Sequence, residues 1–141
     1  MSTVLPNVVN TVPKLGCIEV ASYSKHWPCL FPQHGAGPKH LRSIALEPWQ
    51  HEIAIEENPR LLLRGLIHSD GWRGTNVAVT PRGKYFYPRY LFSNRSQDIR
   101  DIFALASGRV GVKCRQTNQW NLSVSRRSDV ALFDQFIGPK R

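Results

Sequence analysis

Along this chain the spacing of apolar side chains switches between helical and alternating periods, and the switches divide it into elements. Residues 15–24, LGCIEVASYS, alternate in part and predict a strand. Residues 24–34 predict a short capped helix broken by proline, and HGAGPKH at 34–40 a loop. Residues 47–57 predict a helix that starts with Glu47 ahead of Pro48. Asn58-Pro59 starts a second helix, with Asn58 as cap and Pro59 at its first position. It carries Leu63, Leu66 and Ile67 and ends at Asp70-Gly71, where Gly71 is free to take a left-handed, helix-stopping conformation.

After Gly71 the period becomes alternating. Residues 72–80 and 84–93 predict two strands joined by a Pro81-Arg82-Gly83 turn, and Pro88 marks a bulge or a sheet edge. Residues 96–107 predict a helix capped by Ser96, with Asp98 in its positive first turn. Ile99, Ile102, Phe103 and Ala106 form its apolar stripe, and Gly108 or Gly111 ends it. Residues 112–117 and 120–127 predict a hairpin turning at Asn118-Gln119. Val112, Cys114, Trp120, Leu122 and Val124 make its apolar face. Lys113, Arg115, Thr117, Asn121, Ser123, Ser125 and Arg127 make a basic, hydrogen-bonding one. A last helix from Ser128 carries Val130, Phe133, Phe136 and Ile137 and stops at Gly138-Pro139. From residue 59 the order is therefore helix, strand, strand, helix, strand, strand, helix: an α+β chain with an antiparallel sheet.

There is a partial internal repeat. Val20 and Ser24 match Val124 and Ser128, and Gly37-Pro38-Lys39 matches Gly138-Pro139-Lys140. On that reading residues 1–46 are the remnant of a preceding repeat plus a linker, and 47–141 hold a complete repeat.

Composition then narrows the class. With 141 residues, 41% of them hydrophobic, the chain suits one domain with a real core. No apolar run is long enough to span a membrane, and no secretion signal is legible at the N-terminus. Three cysteines without a CxxC pair argue against a disulfide framework or a zinc site and for a reducing cytoplasm. The net charge of +9 lies entirely beyond Gly71: residues 1–71 hold six basic and six acidic side chains, residues 72–141 thirteen and four. Thirteen of the nineteen basic residues are arginine, the side chain suited to bidentate phosphate and guanine contacts. A basic half of this kind points to a nucleic-acid partner.

The Asp70 position carries the candidate chemistry. A carboxylate at the negative end of a helix is disfavoured. Gly65 and Ser69, four apart, present small side chains on one face and let a second helix approach closely. Two such helices side by side would bring two Asp70 carboxylates together, an arrangement that a divalent cation relieves.

The stretch Leu63-Arg64-Gly65-Leu66-Ile67-His68-Ser69-Asp70-Gly71 resembles the nine-residue signature of the LAGLIDADG (DOD-type) homing endonucleases. Leu63, Gly65, Leu66, Ile67, Ser69, Asp70 and Gly71 fit it, and the order of elements behind it is that family's repeat. The resemblance is to the second repeat of a bacterial two-repeat member, N-terminally truncated. It implies a saddle-shaped antiparallel sheet lying on double-stranded DNA, with Asp70 catalytic and holding Mg²⁺. It places Leu62, Gly65, Leu66 and Ser69 at the interface with a second repeat or a homodimer partner. DNA contacts are expected from Lys113, Arg115, Asn121, Ser123 and Arg127, joined by Arg73, Thr75 and Asn76. His68 stands where the family has its other acidic residue and is expected to pack or cap. With one signature present, cleavage requires a second repeat; the alternatives are an inactive DNA-binding or regulatory module, or a relic of the same fold.

Overall fold

The computed structural model describes residues 9–139; Lys140 of the Gly-Pro-Lys match lies outside them. The chain forms two compact units, one ending at Ala36 and one beginning at Gly37. In the first, β1 (Val9–Lys14) and β2 (Cys17–Ser22) make an antiparallel hairpin turned at Leu15-Gly16, where Gly16 has φ +78°. β2 is the expected strand. Its partner β1 was not legible in VNTVPK, because Pro13 and Asn10 disfavour a strand and only an edge position tolerates them. One helical turn, α1 (Trp27–Leu30), follows, tied back by Trp27 Nε1 donating to the Ser22 carbonyl at 3.0 Å.

The second unit opens with a 3₁₀ turn at Lys39–Leu41. It continues through α2 (Pro48–His51), which runs into a π-helical segment, Glu52–Glu57. The helix expected over 47–57 is thus continuous but widened in its second half. Asn58 does not cap the next helix: its Nδ2 donates to the Ile53 carbonyl at 3.1 Å and closes the π-helical turn instead. Then come α3 (Pro59–Asp70), β3 (Gly71–Thr80), β4 (Gly83–Ser93), α4 (Gln97–Arg109), β5 (Arg115–Asn118), β6 (Asn121–Val124) and α5 (Arg127–Ile137). This is the α-β-β-α-β-β-α order expected from residue 59. The sheet order is β3-β4-β6-β5, all antiparallel, and the fold class is α+β.

The three long helices cover one face of the sheet. Tyr90, Phe92, Leu122 and Val124 point into them and meet Leu63, Ile67, Phe103, Val130, Phe133 and Ile137. Phe92 stacks on Phe103 with centroids 4.4 Å apart, and Phe133 sets its edge to Tyr90 at 5.4 Å. Burying a side chain of this size contributes roughly 1.5–3 kcal/mol, so this aromatic cluster is the main tie between helices and sheet.

Pro88 sits opposite Thr75 in an unbroken β3–β4 register, with no bulge. It is the edge reading that holds, since β6 pairs with β4 only from Tyr90 onward. Extending that register would set Arg126 against Pro88, which has no N–H to give. β6 therefore ends at Val124, and Arg127, expected on the hairpin, starts α5 instead. Trp120 also leaves the expected apolar face. It lies in the β5–β6 turn, 43% exposed, with Arg95 over its ring at 5.3 Å. Gly37 and Gly138, matched in the internal repeat, both adopt positive φ, +80° and +69°, ahead of a proline.

Candidate functional site

Asp70 is the last residue of α3, at the end of the sheet where β3 begins and β4 ends. Gly71 does not turn left-handed; its φ of −106° leads straight into β3. Glycine is required there for space, because a Cβ would come within 2.7 Å of Ile67 Cα and Cδ1. Asp70 Oδ2 accepts from Asn94 Nδ2 at 2.7 Å, with Lys39 Nζ 3.5 Å from the same oxygen. This donor and this cation offset the negative end of α3.

Asn94, 6% exposed, is itself held at every polar atom. Its Oδ1 accepts from Ser96 N–H at 2.9 Å, its carbonyl from Arg100 Nη1 at 2.5 Å, and its N–H donates to the Trp120 carbonyl at 3.0 Å. Arg100 is buried and meets no carboxylate among the described residues; its other nitrogen donates to Gln97 Oε1. A continuous line of hydrogen bonds thus runs Arg100–Asn94–Asp70. Sequence reasoning singled out neither Asn94 nor Lys39 for this site. They come from a strand end and a loop, and no local pattern around either marks it. His68 packs as expected, its Nε2 2.9 Å from the Ile137 carbonyl at the end of α5.

The outward face of α3 is open in the single chain. Gly65 and Ser69 are exposed, Leu62 and Leu66 half-buried, and a Cβ on Gly65 would meet nothing within 4 Å. Ser69 Oγ is turned back onto the Leu66 carbonyl at 3.0 Å. Among the described residues no three His, Cys, Asp or Glu side chains gather as a metal site. One chain brings one carboxylate to the end of α3, and a side-by-side pair of α3 helices brings two.

On β4, Tyr90 and Phe92 face the helices, so Tyr87, Arg89 and Leu91 face away. Cross-strand register extends this outer face to Trp72, Gly74 and Asn76 on β3, Ser123 and Asn121 on β6, and Arg115 on β5. Asn76, Arg115 and Ser123, all anticipated, share a cleft of about 280 Å³ with Tyr87, Arg89 and Ser125. No carboxylate lines it. Period-two reading of β4 would have found Tyr87 and Arg89. Trp72 lies across Gly74, where a Cβ would fall 1.8 Å from the ring.

The other anticipated contacts are dispersed. Arg73 is on the helix side, where it holds Asp134 of α5 through Nε and Nη2, each at 2.9 Å, while the Tyr90 hydroxyl donates to Asp134 at 2.6 Å. The Arg73 guanidinium holds the Asp134 carboxyl below its ordinary range, and burial pushes the Tyr90 hydroxyl up. Thr75, two residues on from Arg73, shares that side. Lys113 precedes β5, its N–H 3.3 Å from Asp129 Oδ2. Arg127 belongs to α5.

No family model matches this chain. No curated protein matches it either. Among solved structures, the crystal structure of a homing endonuclease, I-TnaI, is similar at 19% identity with a TM-score of 0.46. The similarity covers 58% of this chain and 60% of that one. No helix among the described residues is long and apolar enough to cross a membrane.

Proposed function

We propose that the second unit is a half-site module for double-stranded DNA that cleaves the backbone when two α3 helices are paired, in a homodimer or with a separate first repeat. The observation that carries this reading is Asp70, set at the end of a helix whose small-residue face is open. Asp70 from each of two chains would hold Mg²⁺, which takes one or two carboxylates and completes its shell with water and phosphate oxygen. Such an ion supplies Lewis-acid stabilisation of a phosphodiester under attack by water. Within the chain, Asn94 orients the Asp70 carboxylate, and Lys39 places a positive charge where a scissile phosphate would lie. The outer sheet face supplies the DNA surface through Asn76, Arg115, Ser123 and Asn121. The adjacent apolar stripe of Leu62 and Leu66 favours pairing of α3 helices.

Asp70→Asn tests the reading. Cleavage of plasmid DNA in Mg²⁺ should be lost while duplex binding stays within about threefold, because one positioned ligand is removed and the basic face is untouched. Cutting at the wild-type rate would sink the catalytic assignment. A second reading, a DNA-binding module without catalysis, is favoured by the Lys39 ammonium standing on the single Asp70 carboxylate. It predicts salt-sensitive duplex binding, a monomer by light scattering and no cleavage by the wild-type chain.

A further inference from the structure

The outer-face cleft has two arginines and no acid, and neither arginine is committed within the chain. Arg89 and Arg115 make no hydrogen bond or ion pair among the described residues, and Arg89 Nε is buried without a partner. Leaving a guanidinium donor buried and unpaired costs roughly 1–3 kcal/mol, so such a group is retained where a ligand completes it. The remaining lining, which includes Asn76, Tyr87, Ser123 and Ser125, is made of neutral hydrogen-bonding side chains.

On the reading that the chain binds duplex DNA, we infer that Arg89 is a specificity-determining residue that reads a guanine from the major groove. Three features separate base reading from phosphate contact. Arg89 is half-buried on a central strand, with Gly74 opposite it on β3. Its guanidinium is confined in a cleft instead of sweeping the rim, as phosphate-binding side chains do. Just beyond it, β4 has only β3 as a neighbour, so a two-stranded ribbon projects past the rest of the sheet, the shape a major groove about 12 Å wide admits. A fixed guanidinium in that position matches the paired O6 and N7 acceptors of guanine, which no other base edge presents. Asn76 and Arg115 flank it for the neighbouring bases.

The test is selection from a randomised duplex library by the full wild-type chain, Arg89→Ala and Arg89→Lys, with circular dichroism to establish folding. Wild type should enrich a guanine at one fixed position. Arg89→Ala should lose that preference by roughly 5- to 150-fold, the discrimination of one bidentate contact. Arg89→Lys, which keeps charge and stem, should bind unselected duplex within about twofold of wild type and still fail to prefer guanine. A guanine preference that survives both substitutions overturns the inference. So does uniform weakening across all sequences with the salt slope reduced by about one, which marks a phosphate contact. Equal affinity for a single strand of the same length overturns it too, because no groove is then read. Duplex binding without any guanine preference sinks the inference alone; no duplex binding by the wild type sinks the proposed function with it.

Discussion

Replacing Asn94 with alanine would remove two side-chain hydrogen bonds at a site that is 6% exposed. The Ser96 N–H, on a residue 2% exposed, loses its acceptor and has no water in reach. An orphaned buried donor costs about 1–3 kcal/mol. The bond to Asp70 is to a charged acceptor, but Asp70 is 32% exposed and water replaces part of what is lost, so about 1 kcal/mol is assigned to it. Together these predict a loss of about 2–4 kcal/mol. For a unit of roughly 100 residues, melting entropy near 2 cal/mol/K per residue converts this to a Tm lower by about 9–18 °C. The assay is thermal unfolding of the full chain for wild type, Asn94→Ala, Asp70→Ala and the double variant. In the Asp70→Ala background, Asn94→Ala should still cost the Ser96 share, leaving a coupling of about 1 kcal/mol between the two residues. A single-variant Tm within 2 °C of wild type, or strict additivity in the cycle, would refute the view that Asn94 supports Asp70.

Three other outcomes follow from the same geometry. Ser107 Oγ is fully buried without a partner, so Ser107→Ala should be neutral or stabilise by up to about 1 kcal/mol in urea unfolding; a loss above 1 kcal/mol would mean the hydroxyl is bonded. Asp134→Asn should cost about 1 kcal/mol at pH 7, kept small because Arg73 and Asp134 are 37% and 43% exposed. The Asp134 carboxyl is lowered on folding, so its contribution is complete above the unfolded value near 3.9 and is lost as pH falls through the folded one. The gap between wild type and variant should therefore close below about pH 4, and a gap that widens there would contradict the pairing. Gly74→Ala places a methyl in the Trp72 ring and should displace it; an unchanged near-ultraviolet dichroism and tryptophan emission would contradict the stacked placement.

The sequence by itself determined the order of elements from residue 59, because each depends on local periodicity and punctuation. Ser96 caps α4 and accepts from Ile99 N–H at 3.4 Å, Asp98 sits in its first turn, and the Pro81-Arg82 turn sets the β3–β4 register. Periodicity also assigned the core residues of α3, α4 and α5. What it could not reach were relations across the chain. The length of β6 depended on a proline in another strand, which removed Arg127 from the sheet. Period-two alternation sorts β3 into two faces but cannot say which one meets the helices; packing of Tyr90 and Phe92 decided that, and sent Arg73 to Asp134 while leaving Asn76 outside. Gly71 was legible as a special position, but the reason is contact with Ile67, not a left-handed turn. The partners of Asp70 are 31 residues before it and 24 after it, and only tertiary packing brings Lys39 and Asn94 to one oxygen.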